Sequence, residues 1–289
     1  MGFNSIKEIL DLTEEKNITI GELMLVQEAE GEGVIKDGVF EQMLENWQIM
    51  KNSIESGLIN APTSKSGLVG GDGQKLYQYS KSETLAGHKI NRAVSYALAT
   101  AEVNASMGRI VACPTAGSCG IVPAVLKSVQ ETYNFSDHKI TLGLFTAAAI
   151  GSVIAFKASV SGAVGGCQAE CGTASVMAAA AAVELVGGSP KQAADAAAMV
   201  IKNILGLVCD PVAGLVEVPC VKRNAMGASL ALICADMALA GIKSKIPLDE
   251  VISAMDAVSK LMPVSLKETA LGGLAATPTA IKIAEELYN

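Results

Sequence analysis

No stretch of this chain sustains the period-two alternation of a half-buried strand, whereas apolar residues recur at three- and four-residue intervals through most of its length. In "KDGVFEQMLENWQIMKNSIESG", Val39, Met43, Trp47, Met50 and Ile54 fall on one helical face, and Gly57 is placed to stop the helix. A second helix is predicted over residues 83–107, with Ser82 as its cap and the acid Glu83 in its first turn. "GGSPKQAADAAAMVIKNILG" carries the sharpest boundary. Ser189 is the N-cap, Pro190 takes the first helical position, Gln192 closes a capping box, and Gly206 is the stop. "LDEVISAMDAVSKLM" and "PTAIKIAEELYN" predict two further amphipathic helices, separated by the loop "PVSLKETALGGLAAT". Gly67, Gly70, Gly71 and Gly73 mark "KSGLVGGDGQKL" as a loop. With no internal repeat, Ser/Pro-rich linker or charge block, the pattern predicts an all-α fold read as one domain. Residues 1–60 are expected to form a helical arm packed on a helical body of residues 61–289.

Half of the 289 residues are apolar but only 4% are aromatic, and 28 are glycine, so the core is built from small side chains that let helices approach closely. Residues 140–156 run for 17 positions without a charge, the low edge of a membrane span. Their many small residues fit a buried helix better, and they are bounded by the single lysines Lys139 and Lys157 and not by a Lys/Arg cluster on one side, so no membrane partner is expected. A net charge of -7 and the lack of any Lys/Arg run argue against nucleic acid as a partner, since a basic stripe is needed to neutralise phosphates. "MGFNSIKEILDLTEEKN" carries acids where a secretory signal carries cations, and Ile6 stands where myristoylation requires Ser or Thr. A cytoplasmic location is the expectation.

The seven cysteines are Cys113, Cys119, Cys167, Cys171, Cys209, Cys220 and Cys234. In a chain expected in the cytosol they stay reduced, which leaves buried thiol, metal ligand and catalytic thiol as three open readings. Four loops rich in Gly, Pro, Thr, Ser and Cys interrupt the helices: "CPTAGSCGIVP", "SVSGAVGGCQAECG", "LVCDPVAGLVEVPC" and "KETALGGLA". Such loops, held by rigid helices, are where sites are usually built. Cys167, Cys209 and Cys220 each stand beside Gly or Pro, where backbone can approach an inorganic centre. Zinc fits poorly, because the two histidines, His88 and His138, lie outside the cysteine loops. Cys167 and Cys171 form a C-x3-C pair without the third cysteine of a radical-SAM motif. In "PTAGSCGIVPAVL", Thr115, Ala116, Gly117 and Ser118 lie on a Pro-led turn entering a helix near Ile121, readable as a carboxylate site or as an ordinary capping turn.

"PTAGSCGIVPAVL", "SGAVGGCQAE", "LVCDPVAGLVEVPCVKRNA" and "KETALGGLA", in this order over residues 45–275, resemble the α chain of iron-sulfur-dependent L-serine dehydratase. The resemblance implies an all-helical catalytic domain whose Gly/Pro/Cys-rich loops converge on a 4Fe-4S cluster. It places the cluster ligands at Cys167 in "GGCQAE", Cys209 in "VCDP" and Cys220 in "VPCVKRNA", and leaves Cys113, Cys119, Cys171 and Cys234 as structural thiols. Single-chain members close on a cysteine that can occupy the fourth iron; this chain ends "EELYN", so an open iron and a separate β chain are expected.

The implied reaction eliminates water from L-serine and yields pyruvate and ammonia, with residues 115–118 holding the substrate carboxylate. The open iron would act as a Lewis acid toward the leaving hydroxyl. Lys65, Lys267 and Arg223 stand in motif loops as candidate proton-transfer or binding groups, and the base is alternatively supplied by the partner chain. Two rival readings are an L-cysteine desulfidase-type lyase and a non-catalytic iron-sulfur carrier or sensor, the latter normally fully coordinated by four cysteines.

Overall fold

A computed structural model describes residues 3–33 and 35–288, and among these residues thirteen α-helices and three short 3-10 turns form the whole regular structure. No strand occurs among them; the only extended pairings are two isolated bridges, Thr63 with Gly70 and Cys209 with Lys267. The fold is all-α, as the hydrophobic periodicity predicts.

The first three helices are α1 (Ile6–Lys16), α2 (Ile20–Glu32) and α3 (Lys36–Asn60). Local chemistry starts the first two: Ser5 accepts from the Glu8 N–H, and Thr19 with Glu22 forms a capping box. Helices α4 (Asp72–Tyr79) and α5 (Gly87–Ala105) follow, and then α6 (Ile121–Tyr133) and α7 (Asp137–Lys157). A single turn, α8 (Gly162–Gly165), leads into α9 (Cys167–Leu185) and α10 (Pro190–Ile204). The chain closes with α11 (Cys220–Leu239), α12 (Leu248–Leu261) and α13 (Pro278–Tyr288).

Helix α9 is the axis of the body. Every residue along it is buried except Glu170. A sequence of alanines, Ala178 to Ala182 among them, lets α6, α7, α10 and α11 pack against it on all sides. Helix α7 is long and apolar enough to cross a membrane by length and composition, yet 67% of its most apolar window is buried against protein. Its main neighbours are α2, α3 and α9, with smaller contacts to α6 and α12.

Three boundaries differ from the sequence expectation, each for a physical reason. Helix α3 runs through Gly57 to Asn60, because Gly57 serves close packing: a Cβ there would lie 2.3 Å from the carbonyl oxygen of Ala99 on α5. Helix α4 begins at Asp72, inside the expected loop, and its Gly73 meets the same residue from the other side, with a Cβ position 2.6 Å from the Ala99 nitrogen. Helix α5 starts at Gly87 and not at residue 83, since the Ser82 hydroxyl donates to the Tyr79 carbonyl at 2.8 Å and closes the preceding turn. The capping box of Ser189 and Gln192, with Pro190 in first position, opens α10 as expected.

Candidate active site

Two helices open on cysteines at one place in the fold. Cys167 is the first residue of α9, after Gly166 at φ 76°, and Cys220 is the first of α11, after the cis Val218–Pro219 bond. Only glycine fits position 166, where a Cβ would stand 2.7 Å from the Leu207 carbonyl oxygen in addition to the left-handed φ. Cys209 is pinned between strands of loop: its N–H donates to the Leu266 carbonyl at 2.9 Å, and its carbonyl accepts from the Glu268 N–H at 2.6 Å. All three thiols are buried, and the N-terminal ends of α9 and α11 favour negative charge on two of them.

Arg223, one turn into α11, ties these elements together. Its Nη1 donates to the Cys167 Sγ at 3.1 Å and to the Val208 carbonyl at 2.7 Å, while Nη2 pairs with Asp210 Oδ1 at 2.7 Å. Asp210 in turn accepts from the Leu274 N–H at 2.7 Å, bringing the "KETALGGLA" loop to the site. Hydrogen bonds from the thiols of Cys171 and Cys209, with help from the Arg223 guanidinium, outweigh burial and hold Cys167 down at about 3. The same contacts push Cys171 and Cys209 well above the ordinary thiol range, and burial carries Cys220 up to about 12.

The turn of residues 115–118 is braced from α11. Asn224 donates to the Gly117 carbonyl at 2.7 Å and to the Cys220 carbonyl at 3.0 Å, and its Oδ1 accepts from the Gly120 N–H at 2.9 Å. No acceptor among the described residues takes the N–H groups of Thr115, Ala116, Gly117 or Ser118, which leaves four consecutive donors for an anion. Thr115 and Ser118 hydroxyls are 3.1 Å apart, and Thr115 also donates to Glu170, the single residue of α9 that is not buried. Burial, with repulsion from Cys167 and Glu268, raises the Glu170 carboxyl to about 7 against the Thr115 hydrogen bond.

The donor set fits a thiophilic centre. Ligand atoms of Cys167, Glu170 and Cys171 lie within 4.8 Å of one another, a set that includes Cys171 but neither Cys209 nor Cys220, no histidine joins them, and soft sulfur donors of this kind suit a thiophilic metal over hard cations. Gly162 keeps the space beside the thiols open, since a Cβ there would come 3.0 Å from the Cys209 Sγ.

The structure thus gathers Cys167, Cys209, Cys220, Arg223 and, through Glu170 and Asn224, residues 115–118. Lys267 reaches the site through its backbone bridge with Cys209. Lys65 is exposed, between Ser64 and Ser66, whose hydroxyls both donate to Glu217 ahead of Cys220. Cys113, Cys119 and Cys234 are buried, and burial raises each thiol above its ordinary range. Glu170, Asp210, Asn224 and Glu268 went unread in the sequence. For Glu170 the available signal was a carboxylate three residues after Cys167, in the first turn of the same helix.

Comparison with known proteins points to one family. Residues 15–275 match the family described as "Serine dehydratase alpha chain". The chain is 44% identical to the L-serine dehydratase alpha chain of Peptoniphilus asaccharolyticus, over 99% of this chain and 98% of that one. It is 54% identical to a Bacillus subtilis protein named "Probable L-serine dehydratase, alpha chain", over 99% and 96% of the two chains. With the L-serine dehydratase of Streptomyces coelicolor the identity is 39%, over 94% of this chain and 60% of that longer one. The family match and these near full-length identities place the chain in the serine dehydratase alpha chain family.

Proposed function

We propose that this chain is the catalytic α subunit of a two-chain L-serine dehydratase, with a 4Fe-4S cluster held by Cys167, Cys209 and Cys220. The observation that carries the reading is the convergence of three cysteines, two opening helices and one in a loop, with a turn offering four unpaired N–H donors. Four irons and three cysteines leave one iron without a thiolate. When bound, the cluster would supply Lewis-acid stabilisation to the departing hydroxyl.

The remaining work falls to the protein. The N–H groups of residues 115–118 receive the substrate carboxylate, and Asn224 keeps that turn in register with Cys220. Fixing the substrate in this way aligns its Cα–H bond, and orientation of this kind is worth several kcal/mol. Arg223 is a positioning residue: three of its N–H donors go to Cys167, Val208 and Asp210, and a guanidinium stays protonated. Lys267 and Lys65 remain candidates for proton transfer, with the base alternatively on the β chain. Loss of water gives 2-aminoacrylate, which tautomerises and takes up water to release pyruvate and ammonia.

The test is pyruvate formation from L-serine by protein reconstituted anaerobically with iron and sulfide, together with a β chain. Cys209→Ser and Cys220→Ser should lose both the cluster and activity, and Cys171→Ser should keep the cluster. Iron binding that needs Cys171 and not Cys209 would overturn the ligand assignment.

A further inference from the structure

Resting on the dehydratase reading, we propose that Glu170 recognises the ammonium group of the amino-acid substrate and so separates amino acids from hydroxy acids. An amino acid enters as a zwitterion. Its carboxylate has the donors of residues 115–118, whereas its ammonium needs an anion a few ångströms away.

Glu170 occupies that position. A Cβ on Gly117 would stand 2.6 Å from its Oε1, and a Cβ on Gly162 would stand 3.1 Å from its Oε2 and 3.0 Å from the Cys209 Sγ. The carboxylate therefore reaches from the carboxylate-binding turn to the thiols, and glycine hydrogens alone clear the room it uses. Thr115 fixes the orientation by donating to Oε1. Glu268 approaches the same space, with its Oε2 3.5 Å from the Gly162 Cβ position.

No lysine or arginine among the described residues forms an ion pair with Glu170 or Glu268, and the adjacent guanidinium of Arg223 is committed to Cys167 and Asp210. A largely desolvated carboxylate without a counter-ion is costly, and an incoming ammonium supplies the missing charge. A hydroxy acid of the same shape would leave the carboxylate uncompensated, which is the basis for its rejection.

The experiment compares wild type, Glu170→Gln and Glu170→Asp as reconstituted enzyme with its β chain. L-serine is the substrate, and 3-hydroxypropionate, which keeps the carboxylate and β-hydroxyl but lacks the ammonium, is the competitor. Iron content is measured in each variant. Glu170→Gln should raise KM for L-serine about 10- to 100-fold, the range for a lost hydrogen bond to a charged group. Its iron content should stay within about twofold of wild type, its Ki for 3-hydroxypropionate should fall because the uncompensated charge is gone, and Glu170→Asp should recover part of the loss. Equal weakening of both ligands, loss of iron, or an unchanged KM overturns the assignment while wild-type pyruvate formation still upholds the dehydratase reading. A wild type that neither binds nor turns over L-serine overturns both.

Discussion

Arg223 and Cys167 meet across two helices, guanidinium nitrogen to sulfur, at 3.1 Å, and the same guanidinium neutralises Asp210. The Asp210 side chain is only 4% exposed, so removing the cation strands a buried carboxylate. Arg223→Gln should therefore cost about 3–5 kcal/mol of stability. The double variant with Asp210→Asn should recover much of that cost without restoring the hydrogen bond to sulfur. Thermal unfolding reports the first effect and iron per chain reports the second. Full iron retention in the double variant would show that the contact to Cys167 does not help hold the centre.

Asn224 joins the turn of residues 115–118 to the first turn of α11 with three hydrogen bonds from one buried amide. Asn224→Ala leaves the Gly120 N–H and the Gly117 carbonyl without that partner, at about 1–3 kcal/mol for each buried group. The expected kinetic result is a rise in KM for serine with the iron content kept, because the turn loosens while the cysteines stay. If iron is lost in proportion to activity, Asn224 acts on Cys220 and not on the turn.

What could be read in the sequence depended on how local its cause was. The start of α10 was legible, since Ser189, Pro190 and Gln192 satisfy the helix end among themselves. Gly57 misled because its reason lies on another helix, at Ala99, and a packing glycine looks the same as a stopping one in a single sequence. Ser82 misled because its hydroxyl turned back to Tyr79. The cysteine loops stood out by composition and by resemblance, but their braces did not. Asp210, Asn224 and Glu170 earn their places from partners 13 to 107 positions away, a relationship that only the packed helices create.

Gly57 and Gly73 allow α3 and α4 to close on opposite sides of Ala99. A Cβ at position 57 has no flexible side chain to push aside, because its nearest atoms are Ala99 backbone. Gly57→Ala should destabilise the protein by about 1–3 kcal/mol, as overpacking does in close-packed cores. Gly67→Ala makes a useful comparison: its surroundings are open, and its cost should come only from the left-handed φ of 78°. Denaturant midpoints measured side by side would decide, and a smaller loss at Gly57 than at Gly67 would contradict the packing account.

Asp137, the first residue of α7, gathers four donors: Trp47 Nε1 at 2.8 Å, Gln48 Nε2 at 3.1 Å, Lys51 Nζ at 2.6 Å and Gln130 Nε2 at 2.8 Å. Burial pushes its carboxyl up, but the hydrogen bonds from Lys51, Gln130, Trp47 and Gln48 outweigh it and hold the pKa well below the ordinary carboxylate range. A group depressed on folding stabilises the native state above its unfolded pKa and loses that contribution as pH falls toward its folded pKa. Asp137→Asn should therefore lower Tm most at neutral pH, with the gap to wild type constant down to about 4 and narrowing below it. A gap that stays constant from pH 7 down to pH 2 would mean that the charge of Asp137 contributes nothing. The stabilisation would then come from neutral hydrogen bonds between α3, α6 and α7.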